Sequence, residues 1–144
     1  MSHDSSALIL YPVFAMFLLV IIVLLYMGRM RIAAVKKGEL NIKFFRAYAD
    51  GNEPERLRVI SRHYVNLFEM PVLFYAGVIL VYITHQVTYW MIGCAWAYVA
   101  FRYLHSYVHL TSNNVMVRFS LYFASAFVLT VMWSTLLAAL IRAG

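Results

Sequence analysis

The sequence predicts an all-α integral membrane protein, built as a four-helix up-down bundle. Three observations carry that reading. Of the 144 residues, 64% are hydrophobic and only 12% are charged, with a mean hydropathy of +0.75; a soluble domain is typically about half apolar and about a quarter charged. Two runs, residues 7–27 and 119–141, carry no formal charge over 21 and 23 residues. Each is long enough to cross a hydrocarbon core of about 30 Å at about 1.5 Å per residue. Two further apolar stretches, residues 57–83 and 89–108, lie between them. Four spans then use nearly the whole chain, so residues 1–144 form one transmembrane domain with no room for a separate soluble one.

The first run begins with Pro12 in its first turns, where a missing N–H costs least. Residues 1–6 contain no Lys or Arg and the apolar run is too long for a signal-peptide core, so it reads as a span. Residues 28–56 form the one long connection, with turn signals at Gly38, at Asp50-Gly51-Asn52 and at Pro54. Its middle, residues 42–48, is amphipathic enough to lie on the membrane surface. The second helix carries Arg58, Arg62, His63 and Glu69, and the third carries Arg102 and His105. Only residues 84–88 separate these two helices, which makes them antiparallel neighbours. Residues 109–118 (HLTSNNVMVR) form a short polar loop into the fourth helix.

Charge sets the orientation. Arg29, Arg31, Lys36, Lys37, Lys43, Arg46, Arg56, Arg58 and Arg118 lie in or beside the first and third loops, and only Arg142 lies at the other side. Nine against one places those loops in the cytoplasm and both termini on the non-cytoplasmic side. Short loops suggest a bacterial inner membrane. The same bias accounts for the formal charge of +6, and no motif supports nucleic-acid binding. The basic first loop reads as a solvated loop touching anionic lipid. The lone Cys94 reads as a small core residue.

Charges at membrane depth are costly and face protein or a water-filled cavity. Arg62, Asn66 and Glu69 fall at i, i+4 and i+7, on one face of the second helix; Arg102, His105 and His109 fall at i, i+3 and i+7 on the third. Antiparallel packing puts Glu69 and Arg102 at matching depths of roughly 12–18 Å, and a buried ion pair between them is expected. Above them, Arg62, Asn66, His105, His109, Asn113, Asn114 and Arg118 form a cationic vestibule, with Arg29 and Arg31 at the same level. Such a vestibule suits a small anion bearing carboxylates. Apolar walls suit a small lipophilic co-substrate arriving from membrane lipid. Two other readings of these residues stand beside this one. The Arg62/Asn66/Glu69 face could serve only helix register and subunit contacts, and His63 with His105 or His109 could ligate a haem.

The string Arg62-x-x-x-Asn66-x-x-Glu69-x-Pro71 (RHYVNLFEMP), followed by Arg102-x-x-His105 (RYLH) and Arg118, resembles the MAPEG family, the membrane-associated proteins in eicosanoid and glutathione metabolism. The resemblance extends to the four helices and the long basic first loop, and points to a bacterial-type, microsomal glutathione transferase-like member. It implies a homotrimer with glutathione bound as co-substrate between helices of adjacent protomers. Arg62, Asn66 and Glu69 would bind the tripeptide with Arg102, His105, His109, Arg118 and Tyr122, and Arg29 or Arg31 would stabilise the thiolate. The implied function is a glutathione-dependent transferase or peroxidase for lipophilic electrophiles, with no metal needed. The alternative is a non-catalytic trimer of the same fold, a lipid-binding or accessory subunit of a membrane complex. This chain departs from the prostaglandin synthase of the family at Phe119, where that enzyme has a serine, and at Val65, where it has an arginine. His109 replaces a ligand-binding tyrosine of some members.

Overall fold

A computed structural model of the chain describes residues 6–46 and 53–143. The turn signals at Asp50-Gly51-Asn52 and the end of the expected surface segment lie outside the described residues. Every regular element described is helical. The first rod is a 3-10 turn, Ala7–Leu10, running into α1, Tyr11–Lys36. A short 3-10 turn follows at Ile42–Arg46. The second rod is two helices, α2 at Glu55–Asn66 and α3 at Met70–Ile83. Then come α4, Tyr89–Leu110, and α5, Val115–Ala143. Three stretches, Ala7–Lys36, Glu55–Ile83 and Val115–Ala143, are long and apolar enough to cross a membrane. Helix α4 is less apolar, but its 22 residues still reach about 33 Å, and Arg102, His105, Ser106 and His109 on it are all buried against other helices.

Local chemistry explains where the helices stop. Gly38 takes φ +72° just past α1. Its N–H donates to the Val35 carbonyl and that of Glu39 to the Ala34 carbonyl, both at 3.0 Å, a Schellman ending that glycine accommodates without Cβ strain. The Thr88 hydroxyl accepts from the Met91 N–H at 3.2 Å and caps α4. Asn113 takes φ 49°, tolerable for a short polar side chain. The Asn114 side chain then accepts from the N–H groups of Met116 and Val117 at 3.1 and 3.2 Å, starting α5 before the expected residue 119.

The second rod differs from the unbroken helix expected over 57–83. Pro71 has no N–H to offer the carbonyl four residues back. The helix therefore tightens and stops: the Phe68 N–H donates to Val65 at 2.9 Å, and Glu69 sits at φ −88°, ψ −93°. Regular α-helix resumes at Met70.

The main core lies between the rods. It joins Met16, Leu19 and Val23 of α1, Phe74, Val78 and Val81 of α3, Met91, Ala95 and Tyr98 of α4, and Leu129, Met132 and Leu136 of α5. Phe74 stacks on Tyr98 with ring centroids 4.5 Å apart. Gly77 lets α3 approach α5, since a Cβ there would meet Met132 Cε at 2.8 Å and Trp133 Nε1 at 3.0 Å. Outward-facing side chains such as Phe14, Phe127 and Leu137 are large, apolar and exposed, while the fully buried group includes Arg102 and His63. Apolar outside and polar inside is the arrangement a lipid solvent favours. A second small cluster, Ala34, Leu40, Phe44 and Leu57, ties the first loop to the end of α1 and the start of α2. The Ile42–Arg46 segment therefore buries Phe44 against protein and leaves Ile42 outward.

Candidate functional site

The helix break shapes the polar end of the bundle. A helix C-terminus leaves carbonyls without partners and carries partial negative charge. Arg102 of α4 meets that need: its Nη2 donates to the Asn66 backbone carbonyl at 3.2 Å and to Asn66 Oδ1 at 2.7 Å. The other end of the same amide, Asn66 Nδ2, donates to Glu69 Oε2 at 2.9 Å. Glu69 and Arg102 thus do not form the direct ion pair expected from depth matching. Asn66 stands between them, using its acceptor toward the cation and its donor toward the anion. The Arg102 guanidinium also lies 5.7 Å from the Tyr122 ring centroid, within cation–π range.

Above this relay a cavity of about 840 Å³ opens between α2, α4 and the start of α5. Arg62, Asn66, Glu69, His105, His109, Arg118 and Tyr122 all line it. Arg118 is steered by the turn before it, donating from Nη1 to Asn113 Oδ1. His105 is held through Nδ1, 3.0 Å from the Arg118 carbonyl oxygen, and its ring lies 6.0 Å from that of Tyr122. Three guanidinium groups, Arg58, Arg62 and Arg118, thus share one wall system with two carboxylates, Glu55 and Glu69. Val65 and Phe119 supply apolar edge, both more than half exposed on the outer surface.

Three expected residues are placed differently. Arg102 lies beneath the cavity, fully buried, so it supports Asn66 instead of facing a ligand. Arg29 is exposed and Arg31 half-buried, and both lie outside the cavity lining. Arg31 adjoins the rim, however: its Nη2 donates to Ser61 Oγ at 3.2 Å, and Ser61 lines the cavity. The Ser61 hydroxyl donates onward to Glu53 Oε1 at 3.3 Å, and the Arg31 guanidinium lies 5.3 Å from the Phe45 ring centroid. Glu55, Arg58 and Ser61 were missed by the sequence reading, although the Arg62/Asn66/Glu69 face, continued backward at helical spacing, passes through 55 and 58.

A helix bundle with an apolar exterior and a cationic cavity at its basic end has the organisation of a helical integral membrane protein. The family model of the MAPEG family matches residues 9–138. That span is most of the chain, and the protein belongs to this family, which includes glutathione transferases and related membrane proteins. No curated protein and no solved structure matches the chain.

Proposed function

We propose that this chain is a membrane-bound, glutathione-dependent transferase or peroxidase acting on lipophilic electrophiles. One observation carries the reading: a cavity of about 840 Å³, within the usual range for small-ligand sites, sets three arginines and two carboxylates around an Asn-anchored wall. Glutathione has two carboxylates, one ammonium and two amides. Arg62, Arg58 and Arg118 suit the carboxylates in two-pronged fashion. Glu69 or Glu55 suits the ammonium, and Asn113 an amide.

A guanidinium beside the thiol favours the thiolate, the reactive form. Arg118 supplies one from within the chain. The homotrimer we propose would add another, with Arg29 or Arg31 of a neighbouring protomer closing the site along the exposed Val65 and Phe119 edge. The thiol proton leaves to water in the cavity. The thiolate sulfur then bonds to the electrophilic carbon, and the leaving group departs with its electron pair. With a hydroperoxide, two glutathione molecules become the disulfide while the peroxide becomes an alcohol and water. Holding both reactants at one boundary supplies much of the rate. The cavity end then faces the cytoplasm of an inner membrane and both termini face away, as the Lys/Arg count favours.

Phe119 and Val65 at the cavity edge favour a second reading, a trimer of the same fold that binds lipid or a membrane partner without chemistry. Calorimetry with glutathione on detergent-purified protein separates the two. Saturable binding that weakens at least tenfold in both Arg62→Ala and Glu69→Gln supports the enzyme. No binding up to millimolar glutathione by an intact assembly overturns it.

A further inference from the structure

Behind the cavity wall, three histidines converge. His63 of α2 faces His105 and His109 of α4, with ring centroids 5.8 and 4.6 Å away, and His105 and His109 lie 5.7 Å apart. One ring nitrogen from each falls within 4.8 Å of the others. All three side chains are buried, His63 completely. Both nitrogens of His63 and Nδ1 of His109 have no hydrogen-bond partner in the protein. A fully buried imidazole with two unpaired nitrogens is costly, and such groups are normally satisfied by water or an ion.

The geometry points to a three-histidine site for a divalent transition metal, with zinc the best match. Three imidazoles leaving one open position is a recurrent zinc ligand set, and histidines four apart on one helix face present two of the three ligands side by side. A tetrahedral zinc with Zn–N bonds of about 2.0–2.1 Å needs nitrogens about 3.3 Å apart. The cluster would have to contract by about 1.5 Å from its present limit, a shift that ring rotations on adjacent helices can supply. One ligand is already oriented from behind: His105 Nδ1 lies 3.0 Å from the Arg118 carbonyl oxygen, which fixes the N–H there and directs Nε2 as the ligating lone pair. His105 and His109 line the cavity and His63 does not, so the open position would face the cavity. Three neutral imidazoles leave the metal's charge uncompensated, and Arg62 and Arg118 line the same space. The fourth ligand would therefore be an anion, hydroxide or a thiolate.

The test uses full-length protein whose affinity tag has been removed, loaded with Zn²⁺ or Co²⁺ and dialysed. The expected result is one metal per chain, visible bands of four-coordinate Co²⁺, and X-ray absorption of the zinc form showing about three nitrogen ligands near 2.0 Å. Metal well below one per chain, or zinc ligated only by oxygen, overturns the site whatever the variants do. His63→Gln should lose the metal and keep its helicity and its assembly, because His63 lies behind the cavity wall. Full metal content in His63→Gln overturns the assignment. Glutathione binding without metal, or metal without glutathione, separates failure of this site from failure of the proposed function.

Discussion

The two halves of the second rod solve the same burial problem in opposite ways. Helix α3 is held by shape. Gly77 admits Met132 and Trp133 at contact distance, Phe74 stacks on Tyr98, and the Trp133 Nε1 donates to the Leu73 carbonyl at 3.2 Å. Helix α2 is held by polar groups, with Arg102 under its C-terminus, Arg31 on Ser61, and His63 among histidines. Close packing gives α3 nothing to bind a polar ligand with. The hydrogen-bonded half leaves donors and acceptors pointing into a cavity. Close packing and the polar cavity wall are thus assigned to different segments of one rod, divided at Leu67–Glu69.

The largest effect should follow from removing the cation that joins them. Arg102→Ala strips two charge-assisted hydrogen bonds from Asn66, and unfolding in detergent should show a loss of about 3 kcal/mol. Retained stability would mean that the break supports itself. Next is Gly77→Ala, which sharpens the packing half. Met132 can withdraw its flexible end but the Trp133 ring must shift, so a loss of about 1–2 kcal/mol is expected, partly restored by adding Met132→Ala. Pro71→Ala tests the division itself. It restores an N–H for the Leu67 carbonyl, so helicity should hold or rise, while loss of the Asn66–Glu69 geometry should weaken glutathione binding about tenfold, about 1.4 kcal/mol. The smallest change lies far from the cavity: Thr88→Ala removes the α4 cap and should cost about 1 kcal/mol with no change in ligand affinity.

Much of this was legible before any coordinates. Charge-free runs marked the first and last rods, and helical spacing put Arg62, Asn66 and Glu69 on one wall of the cavity and His105 and His109 on another. Spacing carried less about what lay between elements. It matched Glu69 with Arg102 by depth, but depth along a rod does not say which side chain intervenes, and Asn66 reached the cation first. Proline at 71 was visible, yet its effect falls several residues upstream, where the N–H it lacks would have reached the Leu67 carbonyl and the helix ends at Asn66. Arg29 and Arg31, two residues apart on a helix, point in different directions, and only Arg31 reaches the rim. Glu55 was hidden because the hydropathic boundary of the span was drawn at 57, inside a helix whose polar face begins earlier; Arg58 was counted only among the charges that set orientation, and Ser61 carries no charge to mark it. Apolar composition locates the membrane; it does not locate the end of a helix that continues into water.

Helix α5 continues in the same way. Its 29 residues extend about 43 Å, more than the roughly 30 Å of hydrocarbon, and Arg118 sits in its first turns. In the orientation proposed above, surplus length left at the basic end would lift that guanidinium toward the zone where lipid tails give way to headgroups. Polarity changes steeply there, so a small displacement of α5 along its axis alters how strongly Arg118 attracts an anion. Bilayer thickness would then bear on the cavity through the composition of the surrounding lipid.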